Sequence, residues 1–210
     1  MTKKPTRLRI TTSLLNSWRY IWLSADNVRE FDSDTESLED KIDKTQKRAY
    51  DSFIAYLKRE PFETTEAMQK GIDFEEDCYN GLTPFSEIIE NGIFQAKGQK
   101  LININGVEFQ MFGILDVLKG GIIYDIKRTS QYKVQKYQKS YQHAFYFYLF
   151  PNAKQFTYLV YDGKSYHQET YFREDCVDIK EVIWDFYCYL KDNNLLEIYE
   201  EHWKEKEFIW

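Results

Sequence analysis

Apolar residues recur every three to four positions at both ends of this chain and every second position through its middle. Segment 11–24, TTSLLNSWRYIWLS, aligns Leu14, Leu15, Trp18, Ile21 and Trp22 on one stripe behind Thr12 or Ser13 as N-cap, which predicts a helix. Residues 26–44 are acidic and rich in Ser and Asp, predicting a mobile loop that leads into a helix over about 38–58. Ala49, Phe53, Tyr56 and Leu57 form the inner face of that helix. Thr64-Thr65-Glu66 opens another helix, running to about Asn80. After a turn at Gly81–Pro84, alternating segments at 86–90, 92–97 and 99–104 predict strands, with turns at Asn91-Gly92 and Gly98. Asn105-Gly106 is the strongest hairpin signal and joins the last of these to VEFQMFGILDV.

The stretch Gly113 to Lys127, GILDVLKGGIIYDIK, predicts a second hairpin about Gly120-Gly121. With those glycines as the turn, Val117 faces Tyr124 and Asp116 faces Asp125. Gly113 marks either a close backbone approach or a bulge. Beyond the hairpin, 131–149 predicts a helix with Gln138, Gln142 and Tyr146 at i, i+4 and i+8 on one face and Tyr141, Phe145 and Tyr148 in the core. Strands at 155–161 and 165–172 flank Asp162-Gly163. Helices near 175–191 and 194–206 close the chain, with Val177, Val182, Ile183, Phe186, Tyr187 and Leu190 as a packing face.

The hairpin register brings chemistry with it. Opposed side chains on a ladder stand about 5 Å apart at Cβ, and like charges there are destabilising unless neutralised. Lys127 lies two residues past Asp125 and so projects from the same face. Two carboxylates and an ammonium on one patch suit a hard divalent cation, since Mg²⁺ takes one or two protein carboxylates and keeps other positions for water and phosphate. The lysine can orient a water or stabilise charge on a phosphate. A solvated Asp-Asp-Lys surface cluster is the plain alternative.

Composition narrows the field. A chain of 210 residues with 17 Tyr, 15 Phe and 5 Trp can bury a core. No apolar run spans a bilayer, and the basic start MTKKPTRLRI lacks a signal-peptide core, so a soluble intracellular protein without membrane contact is expected. Cys78, Cys176 and Cys188 form neither a metal pattern nor a disulfide framework. With only His143, His167 and His202, a histidine-rich metal site or a Ser-His-Asp triad has little material. The net charge of −6 argues against a protein that coats polyanions generally. Yet KRTSQYKVQKYQK, from Lys127 to Lys139, carries five basic residues and no acidic one. Arg128, Lys133, Lys136 and Lys139 are therefore candidates for phosphate contact.

Gly113-x-x-Asp116, then Asp125-Ile-Lys127 nine residues on, resembles motifs II and III of the PD-(D/E)XK nuclease superfamily, in its RecB-like, phage-type exonuclease branch. GIDFEEDCY resembles motif I. It points to Glu75, with Glu76 as the competing choice about 100° round the helix. Gln142-x-x-x-Tyr146 resembles the Q-x-x-x-Y motif that follows the Asp-x-Lys strand, and the 11–24 helix loosely resembles the branch's N-terminal helix. The likeness covers roughly 70–150, with the motifs in the family's order.

What the resemblance implies is an α/β (α+β) restriction-endonuclease-like fold. Its αβββαβ core has a central mixed sheet flanked by helices, with helical additions at both ends. It implies a single nuclease domain over 1–210, comprising an N-terminal helical region (1–62), the catalytic core (63–172) and C-terminal helices (173–210). Asp116 and Asp125 would hold Mg²⁺ or Mn²⁺ with Glu75 and the Ile126 carbonyl, while Lys127 acts on water and charge, supported by Gln142 and Tyr146. The activity implied is DNA phosphodiester hydrolysis, exonucleolytic before endonucleolytic, in recombination, repair or phage DNA processing within a bacterial cytoplasm. Three cysteines at unsuitable places predict no iron–sulfur cluster, and the absence of GxxxxGK[ST] leaves any helicase or recombination motor to a separate partner. An oligomer is compatible. The alternative is a non-catalytic nucleic-acid-binding protein that keeps the fold.

Overall fold

The computed structural model describes residues 7–31 and 38–205, with side chains over 7–26 and 38–205. In chain order the elements are β1 (Leu8–Ile10), α1 (Thr12–Phe31), α2 (Leu38–Leu57), α3 (Glu66–Tyr79), α4 (Pro84–Ile89), β2 (Ile93–Ile104), β3 (Val107–Lys119), β4 (Ile122–Arg128), α5 (Gln142–Leu149), β5 (Gln155–Tyr161), β6 (Tyr166–Tyr171), α6 (Ile179–Asp192) and α7 (Leu196–His202). The six strands make one mixed sheet in the order β1-β3-β4-β5-β6, with β2 also paired to β3. β1 with β3 and β4 with β5 are parallel, while β3 with β4 and β5 with β6 are antiparallel. Apart from the short α4, the order from α3 to β5 is the expected α-β-β-β-α-β.

The chain divides into two compact units, one of Met1–Pro61, Leu101–Met111 and Lys180–Trp210, the other of Phe62–Lys100 and Phe112–Ile179. In the first, α1 packs on α2, and Leu14, Leu15, Phe53, Leu57 and Phe186 are buried as their periodicity predicts. The two ends of the chain are tied together in this unit. Arg9 N–H donates to Trp203 O (2.6 Å), Tyr199 OH to Arg9 O (2.9 Å) and Trp203 Nε1 to Leu57 O (2.8 Å). Arg7 bridges Glu108 and Glu205, each at 3.1 Å.

In the second unit both faces of β4 are covered. Phe74, Cys78, Phe85 and Ile89 from α3 and α4 meet Val117, Tyr124, Ile126 and Leu159. Tyr146 and Phe147 from α5 meet Leu115, Ile123, Phe156, Tyr158 and Val160. A strand covered on both faces reads as a continuous apolar run, and IIYDI is one apart from its aspartate. Arg173 holds the end of α5, its guanidinium donating to the carbonyls of Phe147 (2.9 Å), Pro151 (2.9 Å) and Ala153 (3.1 Å).

Five expectations need correction. Helix α1 continues to Phe31 where a loop was expected from 26, with Ser24 and Ala25 buried and the helix running about two turns past Ser24; residues 32–37 of that loop lie outside the described residues. The strand expected at 86–90 is helix α4. Pro84 sits at its first turn, Ser86 Oγ accepts from the Thr83 N–H (3.3 Å), and Phe85 and Ile89 are buried four residues apart. Strands 92–97 and 99–104 are one strand, β2. Gly98 is there a packing position, since a Cβ on it would lie 2.7 Å from Phe150 Cε2.

The helix expected over 131–149 forms only from Gln142. Residues 134–139 are turns, with Gln135 at φ +64 and the segment drawn onto β6 by hydrogen bonds to Glu169, so Gln138 shares no helix face with Gln142 and Tyr146. Finally, α6 starts at Ile179, which leaves Val177 exposed before the helix rather than on its packing face. No helix among the described residues is long and apolar enough to cross a membrane.

Candidate active site

The β3–β4 hairpin positions the candidate residues. Gly120 and Gly121 both have positive φ (+59 and +82), the backbone a tight primed turn needs, and the ladder pairs Val117 with Tyr124, Leu118 with Ile123 and Lys119 with Ile122. This is the expected register. The regular ladder then stops before the expected facing pair. Asp116 Oδ2 itself accepts the Ile126 N–H (2.7 Å), taking the place of a backbone partner. Leu115 and Val117 would share a face of a regular strand, yet they belong to opposite core clusters, so β3 is irregular at this point.

Tyr146 on α5 supports that irregularity. Its OH donates to Ile114 O (2.5 Å), and its ring lies directly over Gly113. A Cβ at 113 would sit 2.6 Å from Tyr146 Cε1, within a buried and closely packed ring system. Gly113→Ala is therefore expected to lower unfolding stability by about 2 kcal/mol, through overpacking and loss of the Ile114 hydrogen bond. Chemical denaturation measures this, and an unchanged midpoint would show that the ring yields freely. Tyr146 is thus brought to the site as a support for β3.

Asp125 sits at the centre and is only 2% exposed. Gln142 Nε2 donates to its Oδ1, and the Lys127 ammonium lies 2.5 Å from its Oδ2. Lys127 keeps about a third of its side chain in solvent (32%), so a charged head reaches from the surface to a buried acid. Burial pushes Asp116 up to about 8, and the neighbouring Asp125 charge adds to this while Lys127 opposes it. Burial likewise raises Asp125 against the pull of Lys127. Burial alone would lower Lys127, but Asp125 and Asp116 outweigh it and hold the ammonium charged.

Glu75 joins from α3, where Thr65 caps the helix by accepting the Met68 N–H (3.2 Å). Its charge acts on both Asp116 and Asp125, whereas Glu76 is exposed, so the structure favours Glu75 of the two. Tyr79 OH (2.5 Å) and Gln95 Nε2 (2.9 Å) both donate to Glu75 Oε1. Tyr79 and Gln95 were not foreseen. Tyr79 is readable afterwards as the residue one turn beyond Glu75, but nothing in the alternation of β2 marks Gln95.

Arg128, Lys133, Lys136 and Lys139 are exposed on the end of β4 and the turns that follow it. Lys136 Nζ donates to Gln131 O (2.6 Å) and to Thr129 Oγ1. The buried Glu169 on β6 anchors this basic segment: Tyr132 OH donates to its Oε2 (3.0 Å), Tyr137 N–H to its Oε1 (2.9 Å), and Tyr171 OH also to Oε1. Tyr132 stacks on His167 at 4.2 Å and Tyr137 on Tyr158 at 4.4 Å. Glu169 is another residue that the sequence reading missed.

Among the described residues no three His, Cys, Asp or Glu side chains are grouped so as to hold a metal alone. Two carboxylates with a backbone carbonyl nevertheless match what Mg²⁺ or Mn²⁺ asks of a protein when water and phosphate complete the shell.

No family model matches the chain, and no curated protein matches it. Its fold is similar to the crystal structure of SSO0001, with a TM-score of 0.53 at 12% identity, over 93% of this chain and 79% of that one.

Proposed function

We propose that this chain is a divalent-metal-dependent nuclease that hydrolyses DNA phosphodiesters, a member of the RecB-like branch of the PD-(D/E)XK nucleases. One observation carries the reading: two acidic side chains, Asp116 and Asp125, meet at the end of a hairpin beside Lys127, in surroundings that raise both of them. Fold stability does not call for such a group, since an apolar pair at these positions would pack at no electrostatic cost. Motif order and the basic segment after β4 add to it.

Asp116, Asp125 and the Ile126 carbonyl would hold Mg²⁺ or Mn²⁺, with Glu75 nearby. The bound ion supplies Lewis acidity toward a phosphate oxygen and a more acidic water. Asp125 orients Lys127 through their contact, and Gln142 fixes the Asp125 carboxylate from the other side. Lys127, held as an ammonium, donates to the attacking water or to charge developing on the phosphate. Arg128, Lys133, Lys136 and Lys139 contact the phosphates along the strand. An exonuclease serving recombination, repair or phage DNA processing is the form proposed, with any motor on a separate protein.

Purified protein incubated with linear and circular DNA, single- and double-stranded, with Mg²⁺ or Mn²⁺, tests this beside a Lys127→Met control. The expected result is metal-dependent cleavage of linear DNA that spares circles and vanishes in the control. Binding of DNA without cleavage under any of these conditions would replace the nuclease with a binding protein of the same fold.

A further inference from the structure

The geometry points to Gln95 as a positioning residue for Glu75, held for that purpose in an unfavourable backbone conformation; this rests on the nuclease reading. Gln95 lies inside β2, which among the described residues pairs with β3 alone, yet its φ is +52. A side chain other than Gly, Asn or Asp rarely adopts this left-handed region, and such a residue persists where its surroundings hold it there. Packing does not hold it, because Gln95 is exposed.

What it does have is a closed set of hydrogen bonds. Its Nε2 donates to Glu75 Oε1 (2.9 Å) and to Tyr79 Oη (2.9 Å), and Tyr79 OH donates to the same Glu75 Oε1 (2.5 Å). One amide with two hydrogens, one phenol and one carboxylate oxygen thus complete a ring. Phe94 packs edge-on against the Tyr79 ring at 5.0 Å and steadies it.

Both donors fall on Oε1, which sets the plane of the carboxylate while Oε2 makes no hydrogen bond to a described residue. An acid on a helix surface would otherwise rotate among rotamers. With this ring it is fixed before metal and substrate arrive, as outer-shell partners fix metal-ligating carboxylates elsewhere.

Gln95→Gly removes the amide and the unfavourable conformation together, so role and stability separate. In isothermal titration with Mn²⁺ the variant is expected to bind about tenfold more weakly than wild type. Its kcat on DNA should fall with KM little changed, and its unfolding midpoint should stay level or rise. In a Glu75→Ala background the same substitution should weaken Mn²⁺ binding no further. Unchanged Mn²⁺ affinity and kcat in Gln95→Gly, or an equal weakening in the Glu75→Ala background, would overturn the assignment of Gln95 while leaving the nuclease standing. A wild-type protein that neither binds Mn²⁺ nor cleaves DNA would overturn both.

Discussion

Lys127→Met is expected to lower DNA cleavage by about 10²–10³-fold, the usual loss when a group aimed at developing charge is removed. It should also destabilise the protein. Asp125 is buried, and Lys127 is the cation in contact with it. Removing one member of a buried pair costs about 3–5 kcal/mol, which we reduce to roughly 2 kcal/mol because Lys127 is a third exposed and its share of the pairing is screened by solvent. Without the ammonium the pKa of Asp125 rises further, so the folded protein binds a proton more tightly than the unfolded chain does. Stability from that proton is complete below the unfolded carboxylate range and is lost as pH rises. The variant should therefore unfold more easily at pH 8 than at pH 5, relative to wild type. Thermal denaturation at the two pH values measures it, and a pH-independent difference would show that Asp125 does not depend on Lys127 for its charge.

Asp116→Asn should abolish cleavage, by at least about 10³-fold, since it removes a charged candidate ligand where metal assistance is worth several kcal/mol. Its effect on stability runs the other way. Asp116 is raised to about 8 in the folded protein from an ordinary value near 4, through burial first and the Asp125 charge second. A carboxyl raised in this way stabilises the fold below pH 4 and loses that contribution as pH rises through 8, where the native state must accept the charge. Asparagine keeps an oxygen for the Ile126 N–H and carries no charge. Metal-free Asp116→Asn is thus expected to be more stable than wild type by roughly 2 kcal/mol at pH 8.5, the gap narrowing as pH falls toward 4. Adding Mg²⁺ should raise the wild-type melting temperature at pH 8 and leave the variant unmoved. An Asp116→Asn protein less stable than wild type at pH 8.5 would mean that its carboxylate serves packing rather than a cation.

The opposite signs of these two substitutions follow from where each charge sits. Lys127 offsets the burial of an acid, and Asp116 adds a second acid to the same place. A surface Asp-Asp-Lys cluster would show neither effect, because exposed charges are solvated and their pairings are worth little.

The hairpin from Gly113 to Lys127 was legible because its determinants are local: two glycines supply the positive φ of the turn, and alternation then sets the register to Val117–Tyr124. That register carries Asp125 and Lys127 to one side of β4 and Asp116 to the neighbouring strand, but the placing of Asp116 on the Ile126 N–H does not follow from it. Strand β5 and the α2 and α3 helices were legible for the same reason, as period and cap signals lie within each segment. Segment 84–89 was misread because Phe85 and Ile89 suit either period, and the Thr83–Ser86 cap decides it. No helix forms before Gln142, since Tyr132 and Tyr137 are helical in pattern but are drawn to Glu169, more than thirty residues away.

The sequence by itself determined the hairpin, its turn and the acidic and basic residues carried near its end, because these depend on φ preferences and side-chain periods within a few residues. Tertiary structure decided the rest. The break in β3 that lets Asp116 take the Ile126 N–H, the Tyr146 ring over Gly113, and the choice of Glu75 through Tyr79 and Gln95 all arise between segments distant in the chain. Contacts of that kind are set by packing and by the need of buried polar groups for partners, and neither leaves a periodic mark along the sequence.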